Sequence, residues 1–245
     1  MDKIRIDINA DMGESFGNYQ IGNDEELIKY ITSCNIACGA HGGDPMVMRK
    51  TVALAKKYNV NIGAHPSYPD LQGFGRRSLK MKPKEITNFI IYQLGALSGF
   101  LKVEGVKLSH VKPHGALYND ATKNREVAEA IGKAILLFNR DLSIVGLSNS
   151  LAIKVWKDMG LNVKEEVFAD RNYKDDGTLI PRTEKEAVIT DPEKIAERVY
   201  IMATRKEIES ISGTKIRVTF DTICIHGDTK NAVDIARKIK ERLNL

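Results

Sequence analysis

The sequence predicts an α/β protein built on a parallel sheet covered by helices, either closed as a barrel or open and doubly wound. Two observations carry this reading. Short β-rich apolar runs alternate seven times with longer segments of helical periodicity. Chemistry-capable side chains then cluster just after those runs, where both architectures place their sites, in the loops at the carboxyl ends of the strands. No Pro/Gly/Ser-rich linker divides the 245 residues, and α/β barrels of this length are routinely single, so one domain over residues 1–245 is expected.

In chain order, the first strand is expected at Ile4 to Asn9, followed by a helix at Asp24 to Thr32. A strand at Cys34 to Ala37 leads to a helix at Pro45 to Tyr58, whose start is marked by Asp44-Pro45. There the aspartate caps the helix and the proline sits at a position where its missing N–H costs nothing. Strands follow at Val60 to Ala64 and Leu108 to Lys112, with a helix between them at Pro83 to Val103. Next come a helix at Asn124 to Phe138, a strand at Ser143 to Leu147, a helix at Leu151 to Met159 and a strand at Val163 to Phe168. Asp191-Pro192 repeats the cap-and-proline start for a helix running to Glu207, and a strand at Phe220 to Ile225 precedes the last helix, Thr229 to Leu243.

Composition excludes several classes. Hydrophobic residues make up 42% and charged residues 28%, which rules out disorder, collagen and coiled coil. The net charge of +5, from 37 Lys and Arg against 32 Asp and Glu, is scattered along the chain without a run of like charge, so neither nucleic acid nor a membrane surface is expected as a partner. Apolar stretches such as Ala134 to Phe138 are far shorter than the ~20 residues of a membrane span. The segment Met1 to Asp7 has no apolar core of a signal peptide, making the cytoplasm the expected location. Cys34, Cys38 and Cys224 form no Cys-x-x-Cys unit and read as buried, inert thiols.

Four of the five histidines fall close to a strand's carboxyl end: His41, His65, His114 and His226. Only His110 lies inside a predicted strand. Histidines placed for solubility would scatter, so this one-sided placement points to a single polar site. Asp11 and Glu14 flank a glycine directly after Asn9, a pair suited to general-base work or to cation binding. His110, Lys112 and His114 alternate so as to share one strand face, and a lysine buried there calls for an anion. Gly73-Phe74-Gly75-Arg76-Arg77 superficially resembles a phosphate loop but does not follow a strand and lacks the Gly-x-Gly-x-x-Gly pattern. It reads instead as a loop presenting two guanidinium groups to an anion. No Walker loop exists for ATP. The four histidines with Asp11 and Glu14 are suitable ligand types for a divalent metal, although no local spacing such as His-x-x-x-His supports one.

The blocks Asp7-Ile-Asn9-Ala-Asp11-Met-Gly13-Glu14, Asn35-Ile-Ala-Cys38-Gly39-Ala-His41, Gly63-Ala-His65-Pro66, Gly73-Phe74-Gly75-Arg76-Arg77, Lys112-Pro113-His114-Gly115, Asp170-Arg171 and His226-Gly227-Asp228 together resemble the LamB/YcsF family. The resemblance runs from the first strand to the last helix. It implies a TIM-like barrel of seven parallel strands, related to the glycoside-hydrolase and polysaccharide-deacetylase barrels. It also implies a component of an ATP-dependent 5-oxoprolinase, which opens 5-oxo-L-proline to L-glutamate together with subunits B and C. In that chemistry Asp11 or Glu14 would serve as base for water, with His41 and His65 orienting it, while Lys112 and His114 would stabilise developing charge. Arg76, Arg77 or Arg171 would take the substrate carboxylate, with Asn9, Asp170, His226 and Asp228 completing the substrate-binding set. The competing expectations are a stand-alone metal-dependent deacetylase or amidohydrolase, and a non-catalytic substrate-binding or regulatory subunit.

Overall fold

Seven parallel strands close on themselves in the computed structural model, which describes residues 6–244. They are β1 (Asp7–Met12), β2 (Ser33–Ala37), β3 (Asn61–His65), β4 (Leu108–Val111), β5 (Ser143–Leu147), β6 (Asn162–Phe168) and β9 (Thr222–His226). β1 pairs with β2 on one side and with β9 on the other, with Asp11 opposite both Asn35 and His226, and this double pairing decides for the barrel over the open sheet. Two short strands, β7 (Glu207–Glu209) and β8 (Lys215–Arg217), form an antiparallel hairpin outside the barrel.

The helices are α1 (Asp24–Leu27), α2 (Pro45–Tyr58), α3 (Pro83–Glu104), α4 (Gly115–Ala121), α5 (Arg125–Phe138), α6 (Leu151–Asp158), α7 (Pro192–Arg205) and α8 (Ala232–Leu243). Their starts follow the local chemistry. Asp44 accepts from the amides of Met46 and Val47, and Asp191 from those of Glu193 and Lys194, each just ahead of its proline. Several expected boundaries move. Ile4 and Arg5 of the first expected strand lie outside the described residues, and β1 runs on to Met12, so Asp11 sits within the strand rather than after it. The expected helix over Asp24 to Thr32 is one α-turn followed by a 3₁₀ turn, ending where Ile31 turns extended. The seventh helix stops at Arg205 because Lys206 adopts a left-handed C-cap (φ 56°), which frees Glu207 for β7. The last helix begins at Ala232, after Asn231 at φ 66°.

One helix does reach the length and composition of a membrane span, contrary to the expectation from short apolar runs: α3, with 22 residues. Its buried positions, Ile86, Ile90, Leu94, Leu97 and Leu101, recur every three or four residues and belong to the hydrophobic core, and the helix packs against α5. The buried Gln93 amide is satisfied by the backbone N–H and C=O of Ser67.

Alternation along the strands separates two environments. Ile8, Ala10 and Met12 on β1, and Cys34 and Ile36 on β2, belong to the apolar core. The intervening residues meet inside the barrel, and they are polar: Asn9, Asn35, His110, Glu166 and Thr222 bond to one another across strands. Gly63 makes room for this layer, since a Cβ at that position would lie 2.1 Å from His110 Nε2. Gly63→Ala is expected to cost about 1–3 kcal/mol by overpacking, measured by denaturant unfolding. Adding His110→Ala should recover part of that loss, and strictly additive costs would show that the clash is not the cause.

Candidate active site

The carboxyl end of β4 delivers Lys112 into the barrel, where 2% of it is exposed. Its ammonium lies 2.9 Å from Asp11 Oδ1, 2.9 Å from Glu166 Oε1, 3.2 Å from Asn9 Oδ1 and 3.0 Å from Cys224 Sγ. The anion that this lysine requires is thus supplied by the protein's own carboxylates. Burial opposes the charge, yet Asp11, Cys224 and Glu166 hold the Lys112 pKa well above its ordinary value. Burial likewise opposes ionisation of Asp11, but His65 and Lys112 win and keep it well below the usual carboxylate range. Asn35 donates to Asn9 and to Asp11 Oδ1, while Tyr118 from α4 donates to Glu166 Oε2 at 3.0 Å. Asp11 Oδ1 is therefore fully engaged, whereas Oδ2 faces His65 Nε2 at 3.3 Å.

Next to this network three histidines and Glu14 collect from three strand ends and from the loop after β1. His65 Nδ1 donates to the Lys112 carbonyl at 2.7 Å, and His114 Nε2 donates to the Phe74 carbonyl at 2.9 Å. His65 Nε2 and His114 Nδ1 then face each other 3.0 Å apart. His41 Nε2 lies 3.1 Å from Glu14 Oε1, and His114 Nδ1 lies 3.4 Å from the same oxygen. The His41 and His114 rings stack in parallel at 3.7 Å. Burial, reinforced by neighbouring histidines, holds both well below the usual histidine pKa. Burial and the Asp11 charge push Glu14 up to about 8. The four residues are of the kind and spacing that could hold a metal ion, as are Asp11, Cys224 and His226.

The loop after β3 covers this cluster. Phe74, at φ 53°, sets its ring edge-on to His41 and His114, and Arg76 lies over the Phe74 ring and pairs with Asp228 beyond β9. Arg77 pairs with Asp70 of its own loop and leaves 62% of its side chain exposed. Across the barrel, Asp170 accepts from His226 Nδ1 at 2.8 Å and from Thr229 Oγ1 at 2.6 Å. The Arg171 guanidinium is buried and spent on the carbonyls of Ala187 and Ile180.

The structure therefore brings Asn9, Asp11, Glu14, His41, His65, Lys112 and His114 into one contiguous cluster. Arg76, His226, Asp170 and Asp228 sit around its rim, while Arg77 and Arg171 are directed to other partners. Sequence reasoning missed Glu166, Asn35 and Tyr118, and also Arg182, whose Nη1 is 3.5 Å from Asp228 and whose buried Nη2 has no partner among the described residues. Only Glu166 carried a readable signal, as the acid that directly precedes the apolar Val167-Phe168 end of its strand.

The LamB/YcsF family pattern matches residues 6–245. The chain is 54% identical over 240 residues to the A subunit of 5-oxoprolinase from Pyrococcus abyssi, covering 98% of this chain and 94% of that one. It is 49% identical over 241 residues to the protein of the same name from Staphylococcus epidermidis, covering 98% and 96%. Among solved structures, a lactam utilization protein from Thermus thermophilus superposes with a TM-score of 0.92 at 43% identity, covering 98% and 96%. A cellobiose-phosphate cleavage protein from Enterococcus faecalis shares the fold alone, with a TM-score of 0.55 at 12% identity.

Two outcomes follow from the buried charges. Lys112→Met leaves Asp11 and Glu166 unpaired and should cost about 3–5 kcal/mol. Adding Glu166→Gln should return part of this, and a double variant no more stable than Lys112→Met would contradict the pairing. Burial holds His110 down at about 3, whereas an unfolded histidine binds its proton near 6.5. The unfolded chain thus takes up more protons between these values, and stability should fall as pH drops from about 6.5 toward 3, by up to ~1.4 kcal/mol per unit per histidine. His110→Gln should flatten that acid limb in pH-dependent unfolding curves.

Proposed function

The chain belongs to the LamB/YcsF family, and from that membership and the cluster just described we propose that it acts as the A component of an ATP-dependent 5-oxoprolinase. It would open 5-oxo-L-proline to L-glutamate in concert with subunits B and C. The observation that carries this reading is Asp11, a buried carboxylate kept charged by Lys112, with one oxygen engaged and the other turned toward His65. This is the arrangement of a general base with an orienting imidazole. A protein that only bound its ligand would have no use for so many ionisable groups in one buried place.

Opening an unstrained five-membered lactam is uphill near neutral pH because the freed amine closes readily, and ATP hydrolysis supplies the missing driving force. No glycine-rich phosphate loop is present in the sequence, so the residues here do not fit a nucleotide held in that way. What they do fit is the water and the substrate. Asp11 Oδ2 takes the proton of a water directed at the lactam carbon, and Lys112 keeps Asp11 ionised for that task. The substrate carboxylate is taken at the rim by Arg182, whose Nη2 is unpartnered, with Arg76 beside it on the shared Asp228.

The deciding assay is glutamate release from 5-oxoproline, with and without ATP, by this chain alone and mixed with subunits B and C. Turnover is expected only with ATP and all three components. Turnover by the chain alone without ATP would replace this reading with a stand-alone amidohydrolase. In the complete system Asp11→Asn should lower kcat by about 10²–10⁴-fold. Arg182→Ala should raise KM by about tenfold or more with kcat nearly kept. Wild-type turnover in Asp11→Asn would remove the base assignment.

A further inference from the structure

From the hydrogen-bonding of the buried histidines we infer that Glu14, His65 and His114 form a binding site for one zinc-class divalent cation, with His41 as the residue that positions Glu14. Proton counting sets the tautomers. A ring nitrogen that faces a carbonyl must carry its proton, so Nδ1 of His65 and Nε2 of His114 are N–H groups, and the other nitrogen of each ring is the one available to a ligand. The two remaining nitrogens, His65 Nε2 and His114 Nδ1, face each other across 3.0 Å, a contact that needs a proton or a cation between them. Two carboxyl oxygens stand beside them: Glu14 Oε1 lies 3.4 Å from His114 Nδ1, and Asp11 Oδ2 lies 3.3 Å from His65 Nε2. A cation between the two rings would be shared by both ring nitrogens and by the Glu14 oxygen.

The separations agree with those of an ion's ligand shell. Bonds of about 2.0–2.1 Å in a tetrahedral shell place neighbouring ligand atoms about 3.3 Å apart. The His65–His114 and His114–Glu14 separations are 3.0 and 3.4 Å, and the ligand atoms of the whole group lie within 4.8 Å of one another. Metal-bound histidines characteristically give their other N–H to a carbonyl, which fixes the tautomer, and both rings do so here through Lys112 and Phe74. Two imidazoles and a carboxylate favour zinc or a neighbouring first-row ion over magnesium or calcium.

His41 plays a different part. A lone pair lies in the plane of its ring, so the lone pairs of two parallel stacked rings run side by side and do not converge on one ion. His41 therefore bonds Glu14 Oε1 at 3.1 Å and orients it. Three protein ligands leave one position of a tetrahedral ion open, as in sites that bind a water or a substrate oxygen rather than purely structural ones. Asp11 Oδ2 lies 3.3 Å from one of the ligand atoms, His65 Nε2. The second group of ligand-type atoms, Asp11, Cys224 and His226, is a weaker candidate, because Lys112 already bonds both the Cys224 sulfur and Asp11.

The cation site shares His65 with the lactam reading but is tested separately, on the isolated chain without substrate, ATP or partner subunits. Protein stripped with chelator is titrated with Zn²⁺ by calorimetry and with Co²⁺ by visible absorption. One equivalent should bind, and the cobalt spectrum should be that of a tetrahedral nitrogen and oxygen site without a thiolate charge-transfer band. His114→Ala and Glu14→Gln should abolish this binding, with melting curves confirming that the variants are folded. His41→Ala should weaken it by about 10–100-fold, and Cys224→Ala should leave it unchanged. No binding at millimolar Co²⁺, or binding that survives both His114→Ala and Glu14→Gln, would overturn the site. If the isolated chain binds no metal yet the complete system releases glutamate, the cation falls and the proposed function stands.

Discussion

A single buried ammonium organises the interior. Lys112 stands between Asp11 and Glu166, and without it two carboxylates would face each other inside a closed barrel. The desolvation of three charges is tolerable only because the remaining lone pairs and protons find partners: Asn9, Asn35, Tyr118 and the Cys224 sulfur complete the network. Barrels of this kind usually fill their interior with branched apolar layers. Here hydrogen bonds replace much of that packing, and the gain is a fixed orientation for Asp11, with one oxygen held and the other turned toward His65.

Much of the fold was legible in the sequence because the outward strand faces and the helices obey simple periodicities. The Asp-Pro pairs before α2 and α7 mark helix starts with a local mechanism, and both helices begin where those pairs indicate. The elements not foreseen are those whose stabilisation is not local. α4 is seven residues long and opens on a glycine, so its periodicity is too short to read, although Leu117 and Tyr118 are buried. β7 and β8 have three residues each and hold one another.

The site was half legible for a related reason. Positions at strand ends follow from alternation, which is how His41, His65, His114 and Asp11 were gathered from four separate segments. What a charged side chain meets once it is inside depends on register between strands distant in sequence. Glu166 is 54 positions from Lys112, and Asn35 is 75 positions from His110, so nothing local announces either pairing. The arginines show the same gap: a guanidinium's partner, whether Asp70, Asp228 or a backbone carbonyl, is set by loop paths that residue types do not encode.

The loop carrying Phe74 closes over the histidines and is fastened to the far rim by Arg76 on Asp228, with 39% of the Arg76 side chain still in water. A fastening of that kind is weak and is screened by dissolved ions. The ionic part of the loop's hold slackens as ionic strength rises, while the Phe74 carbonyl on His114 Nε2 and the Gly75 carbonyl on the Ala116 amide keep theirs. The two ends of this loop are thus held by forces that answer differently to salt: one ionic and at the surface, the other made of backbone hydrogen bonds shielded from it.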